Sequence, residues 1–164
     1  MRYYFIAICM LFSITACNRA EVPDPSSVVD PNKFKSYIGL YPHDEVKGLR
    51  IRDVRSLRKA LIGLMGEKLY KNMDSLSVSG PITASNGYIS FRGCKPHNCP
   101  FENYSVWIND TNGRVFVCYY KTEDQRNLKE DNSGQKIWYG FQKRPIVSND
   151  SIMYGCNKIS TPRQ

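Results

Sequence analysis

Two neighbouring stretches in the first half of the chain repeat apolar residues at helical spacing. DVRSLRKALIGLMG begins at Asp53 and EKLYKNMDSL begins at Glu67. In both, apolar side chains recur every three or four positions, as on one face of a helix. Asp53 is suited to cap the first helix, and Gly66 is suited to end it. The pattern predicts two helices with these core-facing positions: Val54, Leu57, Leu61, Leu64, Leu69, Tyr70, Met73 and Leu76.

After Gly80-Pro81 the pattern changes to short runs rich in β-branched and aromatic residues, which favour strands. Asp-Thr-Asn-Gly at 110–113 is a turn signal, and the polar stretch 121–136 is predicted to be an exposed loop. Helices followed by antiparallel strands predict an α+β domain, with N-terminal helices packed on a four- to five-stranded antiparallel sheet. The predicted strands are GYISFRG (87–93), YSVWI (104–108), RVFVCYY (114–120), IWYGF (137–141) and, more weakly, IMYGC (152–156).

The N-terminus has the layout of a secretory signal. One charge, Arg2, precedes an apolar run from Phe5 to Ile14, which is shorter than the about 20 residues that span a bilayer. The letters ITAC, ending at Cys17, resemble a bacterial lipobox, in which the cysteine receives lipid and becomes the mature N-terminus. Ordinary cleavage near Ala16, which leaves a free thiol, is the alternative. We favour lipidation, because cleavage immediately before a cysteine would otherwise be a coincidence.

These signals divide the chain into three parts. Residues 1–16 are predicted to be a signal peptide, 17–32 a lipidated cysteine with a flexible, proline-containing tether, and 33–164 a single domain. Asn18, rather than Asp, follows the cysteine, which by resemblance to Gram-negative lipoproteins suggests outer-membrane sorting. We therefore expect a membrane anchor through lipid on Cys17, on the periplasmic face of the outer membrane, or otherwise a periplasmic protein.

Charge restricts the class of partner. The formal net charge is +8, and about +7 once the signal with Arg2 is removed. A basic chain suits nucleic acid, but an exported lipoprotein rarely meets any, so we expect no nucleic-acid partner. Anionic lipid, cell-wall polymer or an acidic protein remain as partners for the basic surface.

Export also changes how the six cysteines are interpreted. Cys9 lies in the signal and Cys17 is predicted to be lipidated, so four remain: Cys94, Cys99, Cys118 and Cys156. An even number in an oxidising compartment predicts two disulfides. Of the three pairings, we favour 94–99 with 118–156, because it joins the two cysteines that are close in sequence.

The stretch GCKPHNCP, residues 93–100, admits three interpretations. A structural zinc site needs four ligands, and the chain's other histidine, His43, has no second ligand pair nearby. A thioredoxin-type centre has two residues between its cysteines rather than four. We therefore predict no metal and no cofactor. A rigid disulfide-closed loop remains, and composition alone does not decide whether it binds a partner or is inert. It would present Lys95, Pro96, His97 and Asn98 between Cys94 and Cys99.

Sequence signals of catalysis are weak. Ser90 and Ser105 lie in no recognisable nucleophile motif, and disulfide-bonded cysteines cannot attack a substrate. One histidine without a neighbouring nucleophile or acid pair does not make an active site. We predict that the protein is not an enzyme and has no catalytic residues.

The letters CKPHNC, residues 94–99, closely resemble the CKPHDC loop of the Ivy family, bacterial inhibitors of vertebrate lysozyme. The resemblance implies an exported α+β protein whose disulfide-closed loop enters the lysozyme cleft. His97 would meet the two catalytic carboxyl groups, with Lys95 and Asn98 as flanking contacts and Pro96 keeping the loop narrow. Asn98 replaces the family's Asp. The family also raises the expectation of a homodimer.

The positive net charge of the chain means that enzymes other than vertebrate lysozyme remain candidate targets. Common vertebrate lysozymes are strongly cationic, and like net charge slows encounter unless local patches differ; Glu102 and Asp110 are the candidate acidic patch. The partner could instead be a lytic transglycosylase, or a rival bacterium's toxin muramidase, which would make this chain an immunity protein. A different class is a non-inhibitory structural lipoprotein that holds an envelope polymer through its basic face.

Overall fold

A computed structural model of the chain describes residues 27–99, 101–122, 135–140, 146–148 and Cys156. The predicted signal peptide, Cys17 and the first part of the predicted tether lie outside the described residues. So do most of the predicted 121–136 loop and the predicted 152–156 strand, apart from Cys156. No helix in the described part of the chain is long and apolar enough to cross a bilayer.

The chain contacts the domain from the first described residue. Val28 forms a bridge with Arg114, and the backbone N–H of Val29 donates to the carbonyl of Gly113 over 2.9 Å. A 3₁₀ helix, Pro31–Tyr37, follows and buries Phe34. Ser27 and Val29, which we predicted to belong to the tether, are therefore buried against the domain.

Both predicted helices are present and lie in one helical element, α1 (Arg55–Ser75), which is interrupted at Gly66. Gly66 has φ 81° and ψ 157°, a conformation open essentially to glycine alone. The two halves contact each other across this break, since the Arg58 guanidinium lies 5.8 Å from the centre of the Tyr70 ring. Of the eight predicted core positions, five are buried: Leu57, Leu61, Tyr70, Met73 and Leu76.

The predicted N-cap is wrong. Val54, whose side chain cannot accept a hydrogen bond, occupies the cap position of α1, and Asp53 belongs to a short 3₁₀ helix, Ile51–Asp53. The Asp53 carboxylate accepts from Arg50 Nε over 2.6 Å. A charge-assisted bond to a guanidinium is stronger than a neutral cap bond, which explains where this side chain points.

The strands form two antiparallel sheets. A hairpin of β1 (Glu45–Val46) and β2 (Leu49–Arg50) stands apart from a seven-stranded sheet. The strands of the large sheet are β3 (Val78–Ser79), β4 (Thr83–Ser85), β5 (Tyr88–Cys94), β6 (Glu102–Asn109), β7 (Val115–Lys121), β8 (Gln135–Tyr139) and β9 (Ile146–Ser148). Their order in the sheet is β3-β5-β6-β7-β8-β9, and β4 also pairs with β5. The α+β prediction is confirmed, with more strands than expected.

Alternation along the central strands separates two buried faces. On β6, Val106 and Ile108 join the side chains of α1 in the main core, whereas Trp107 points to the other face. There it packs with Phe116 and the cysteine pair of Cys118 and Cys156. The β5–β6 connection carries CKPHNC at one end of the sheet, and the β6–β7 turn lies at the opposite end.

Candidate functional site

The CKPHNC stretch is a short, closed loop between β5 and β6, two long neighbouring strands of the large sheet. β5 ends at Cys94 and β6 begins at Glu102. A disulfide joins Cys94 to Cys99, and the backbone N–H of Lys95 donates to the carbonyl of Glu102 over 3.1 Å. The loop therefore continues the antiparallel ladder at its base and is closed covalently beyond it.

His97 lies at the tip of a tight turn. The N–H of Asn98 donates to the carbonyl of Lys95 over 2.9 Å, and between them His97 has φ 58°. Proline at the second position and positive φ at the third are typical of a type II turn. A left-handed conformation costs a non-glycine residue on the order of 1 kcal/mol. Such strain tends to occur at functional sites, and here it lies in the backbone of an exposed histidine.

The four residues inside the bridge differ in exposure. Lys95, Pro96 and His97 are exposed, whereas Asn98 is half-buried. The backbone carbonyl of Asn98 accepts from the N–H groups of Phe101 and Glu102 over 2.9 and 3.0 Å, and its side-chain oxygen is buried without a partner among the described residues. Asn98 thus forms part of the loop's base, and the three preceding residues form its accessible tip.

Asn103 connects this loop to the second disulfide. Its side-chain Nδ2 donates to the carbonyl of Cys99 over 2.8 Å, and its Oδ1 accepts from the N–H of Cys156 over 3.0 Å. Asn103 is 1 % exposed, and Cys156 is bonded to Cys118 on β7. Both predicted disulfides are therefore present, and one buried amide joins them. Sequence reasoning missed Asn103, because its partner Cys156 is 53 positions away.

A second group of residues supports β5, the strand that leads into the loop. Gly93, opposite Tyr104 in the β5–β6 register, leaves room for the tyrosine ring: a Cβ on Gly93 would lie 2.5 Å from Tyr104 Cε1. Burial raises the pKa of Tyr104, and the neighbouring Arg52 guanidinium opposes that rise. Buried Arg52 is itself held by Asp74, with Nη2 3.3 Å from Oδ1. Asp74, Arg52 and Tyr104 thus form a continuous series of neighbours from the end of α1 to the base of the loop.

This arrangement falls within a recognised family. The model of the family described as Inhibitor of vertebrate lysozyme (Ivy) matches residues 56–145, more than half of the 164-residue chain. The chain belongs to the Ivy family. No curated protein and no solved structure matches it significantly. The matched range runs from the start of α1 to beyond β8, so the family resemblance noted from the sequence is confirmed.

The acidic patch expected beside the Ivy-type loop is not formed. The Glu102 carboxylate accepts from the Tyr119 hydroxyl over 2.6 Å. Burial and this carboxylate both raise the pKa of Tyr119. Asp110 lies in the β6–β7 turn, at the other end of the sheet from the loop. The two residues are therefore separated by the length of β6, although only seven positions lie between them in the sequence.

The disulfide and the hydrogen bonds around the Ivy-type loop restrict metal binding and nucleophilic chemistry there. Cys94 and Cys99 are joined, so neither offers a thiolate to a metal or a substrate. Ser105 donates its hydroxyl to the carbonyl of Cys156, and the Ser90 hydroxyl lies 3.0 Å from that of Thr83. Within the described ranges, no group of three or more His, Cys, Asp or Glu side chains is arranged to hold a metal ion.

Proposed function

We propose that this Ivy-family chain inhibits a lysozyme-type peptidoglycan hydrolase by inserting loop 94–99 into the active-site cleft, with His97 as the plug. The observation that carries the proposal is the exposed imidazole at the tip of a strained turn, on a loop closed by a disulfide. A loop already held in its binding shape loses little conformational entropy on association. Family membership supports a lysozyme-type target.

The chemistry of the target suits an imidazole. Glycosidases of this type hold two carboxyl groups on either side of the scissile bond, one protonated and one ionised. Histidine can donate a hydrogen bond to the ionised group and gains attraction if it is protonated there. The exposed Lys95 beside it adds positive charge near the same carboxylates. The loop would thus occupy the place of a sugar ring without offering a bond to cleave.

The first prediction concerns His97 itself. Replacing His97 with Ala should raise the inhibition constant by about 30-fold or more, because a central contact of this kind is worth at least ~2 kcal/mol. Since alanine tolerates positive φ poorly, His97→Asn is the sharper variant: asparagine accepts this backbone conformation but lacks the imidazole. Thr111→Ala, in the exposed turn at the opposite end of the sheet, is the matched control.

The measurement is the hydrolysis of purified peptidoglycan by three enzymes: a vertebrate-type lysozyme, a lytic transglycosylase and a toxin muramidase. Inhibition of one of them, lost in both His97 variants and kept in Thr111→Ala, would support the plug and identify the target class. Inhibition of the toxin alone would favour the immunity function. Inhibition of none, with salt-sensitive binding to cell-wall polymer, would contradict the proposal and favour a structural lipoprotein.

We also propose that the mature protein is anchored by lipid on Cys17, on the periplasmic face of the outer membrane. The support is the signal-like N-terminus and the ITAC letters before the domain. Mass spectrometry of the membrane-extracted protein should find acyl chains on Cys17, and Cys17→Ala should move the protein to the soluble fraction. An unmodified cysteine in a soluble wild-type protein would contradict this part. We further propose that the chain has no catalytic activity of its own and, from the family, that it dimerises.

A further inference from the structure

A cleft of about 320 Å³ lies on the face of the large sheet that is turned away from α1. It is lined by residues of β5 and β6, by Pro81 in the connection between β3 and β4, and by Cys156. The volume is at the lower end of the range of ligand pockets. The cleft therefore has room for a molecule about the size of a single ring.

Strand pairing brings hydroxyl groups together at this cleft. Thr83 lies opposite Ser90, and Ser90 lies opposite Trp107 on β6. Residues directly opposite each other share one face of a sheet, so these three side chains follow one another across three strands. The hydroxyls of Thr83 and Ser90 are 3.0 Å apart. A hydroxyl both donates and accepts, so the pair can offer a donor and an acceptor to a ligand.

Arg92 supplies a positive charge to the same cleft. It lies two positions after Ser90 on β5, which puts both side chains on one face. Its guanidinium lies beside Gly80, because a Cβ there would be 3.6 Å from Nε and 3.7 Å from Nη2. The side chain is exposed and makes no ion pair or hydrogen bond with any residue that the structure describes. Its charge is therefore available to a ligand.

The inner part of the cleft is apolar and held in place. Trp107 is 6 % exposed and Cys156 is 1 % exposed. Ser105, which lies opposite Arg92, donates its hydroxyl to the carbonyl of Cys156 over 3.1 Å. The cleft thus joins a fixed apolar surface on β6 to a cation and a hydroxyl pair at its exposed side.

These groups select a class of ligand. Among the described residues that line the cleft, Arg92 is the only charged one. A guanidinium binds a carboxylate through two parallel hydrogen bonds, and one cation balances one carboxylate, whereas a phosphate group carries about two charges. The hydroxyl pair suits a ligand with hydroxyls of its own, and the edge of Trp107 suits an apolar ring surface. A ring with hydroxyls and one carboxylate is an acidic sugar.

We propose that this site, here called the Arg92 cleft, binds an acidic sugar whose carboxylate pairs with Arg92 and whose hydroxyls contact Thr83 and Ser90. Two sources of this chemistry are the muramic acid of peptidoglycan and the uronic acids of polysaccharides. Arg92 lies ~7 Å along β5 from Cys94, so the bound sugar would be a neighbour of the loop without occupying it. The proposal goes beyond the proposed inhibition and does not depend on it.

Binding is measured by NMR titration of the full chain, kept in a mild detergent, with N-acetylmuramic acid, glucuronic acid and neutral N-acetylglucosamine. We expect both acidic sugars to shift the amide signals of Ser90 and Arg92 and to leave that of Thr111 unchanged. Arg92→Gln should weaken binding about tenfold or more, because hydrogen bonds to charged groups contribute more than neutral ones. Ser90→Ala should weaken it several-fold, and the neutral sugar should bind about tenfold more weakly than the acidic ones.

Arg55→Gln is the matched control, because it removes the same charge from an exposed position on α1. It should bind like the wild type, and so should His97→Asn. Thermal unfolding of each variant checks that the fold is retained. A preference for one acidic sugar would support the proposal and identify the source of the ligand.

Three results would overturn the Arg92 cleft as a sugar site. These are the absence of shifts at Ser90 and Arg92, equal affinity for the neutral sugar, and equal affinity of Arg92→Gln and Arg55→Gln. Each of them would leave the inhibitory role of His97 untouched. Conversely, sugar binding that is retained by a chain which inhibits no hydrolase would support the Arg92 cleft and contradict only the proposed function.

Discussion

Gly93 shows how one residue without a side chain positions the loop. The Tyr104 ring occupies the space that any Cβ at Gly93 would take, and Cys94 follows immediately. A small shift of Gly93 would therefore be passed directly to the disulfide. The positive charge of buried Arg52, which is held at the end of α1, acts on the tyrosine hydroxyl and opposes the rise in its pKa. Buried contacts of the core, rather than solvent-exposed contacts, therefore determine the position of the loop.

Gly93→Ala should therefore destabilise the domain and disturb the loop. Its Cβ would lie 2.5 Å from Tyr104 Cε1, and overpacking of this kind costs about 1–3 kcal/mol. Gly80→Ala is the control, because its Cβ would meet Arg92 Nε at an ordinary 3.6 Å. Denaturant unfolding and inhibition assays on both variants test the idea. Equal stability of the two would show that Tyr104 moves aside freely.

Asn103→Asp tests the link between the two disulfides. The aspartate still accepts from Cys156 but no longer donates to the carbonyl of Cys99, which would face a carboxylate instead. The lost bond in a buried site should cost about 1–3 kcal/mol and weaken inhibition. Asn109→Asp is the control, since Asn109 Oδ1 only accepts, from Thr111 and Asn112. Unchanged inhibition by Asn103→Asp would mean that the disulfide alone shapes the loop.

At the scale of single residues, the sequence predicted the features that are formed by residues close together in the chain. The letters CKPHNC were sufficient to predict the loop and its disulfide. Asn103 and Gly93 could not be identified, because their roles depend on partners brought close by the fold: Cys156 for the first and Tyr104 for the second.

Among the elements, α1 is two helices separated by one glycine. The break lets the second half fold back on the first, so that Tyr70 of one contacts Arg58 of the other. It also brings Asp74, near the end of α1, within 3.3 Å of Arg52. The break at Gly66 is therefore part of what supports the loop, although it lies far from the loop in sequence.

Gly66→Ala should lower the free energy of unfolding by about 1–3 kcal/mol, because alanine adopts this backbone conformation poorly. Apart from its chain neighbours and the nearby backbone of its own helix, no atom of the described residues lies within 4 Å of the added Cβ, so crowding by other elements does not account for the effect. Gly63→Ala, at an exposed site within α1, should instead stabilise the helix by about 0.5–1 kcal/mol. Urea unfolding of the two variants measures these changes in the free energy of unfolding, which should have opposite signs. The same sign for both would contradict the assigned break.

Elements with a clear period were predictable and very short ones were not. Both halves of α1 and strands β5 to β8 appear where the apolar pattern placed them. Strands β1, β3 and β4 have only two or three residues, too few to show an alternation. Pro81 separates the last two, since it cannot donate to a ladder. The cap at Asp53 failed because a charged partner three positions away competed for its carboxylate.

On the scale of the whole molecule, the two disulfides have different tasks. Cys94–Cys99 spans five positions and shapes one loop, whereas Cys118–Cys156 spans 38 and ties distant parts of the chain together. The constraint that a disulfide places on the unfolded chain grows with the length it encloses. The short bridge should therefore matter more for binding and the long one for stability.

Paired alanine variants test this division. Removing Cys94–Cys99 should lower the free energy of unfolding by about 2 kcal/mol, and removing Cys118–Cys156 by about 4 kcal/mol. Inhibition should be lost with the short bridge. It should be largely kept without the long one, at temperatures where that variant remains folded. Guanidinium unfolding and inhibition on the same samples give both readings. Inhibition that survives loss of the short bridge would mean that the turn is stable without it.

The place where the described chain enters the domain and the CKPHNC loop lie at opposite ends of the domain. Its chain enters beside Arg114 and Gly113, at the β6–β7 turn, whereas His97 projects from the opposite end of the same strands. The eight residues of β6 put about 25 Å between the two ends. His97 would therefore lie at the far end of β6 from the place where residues 28 and 29 join the domain. The proposed anchor and the proposed inhibitory loop would thus lie at opposite ends of the domain, so that neither would obstruct the other.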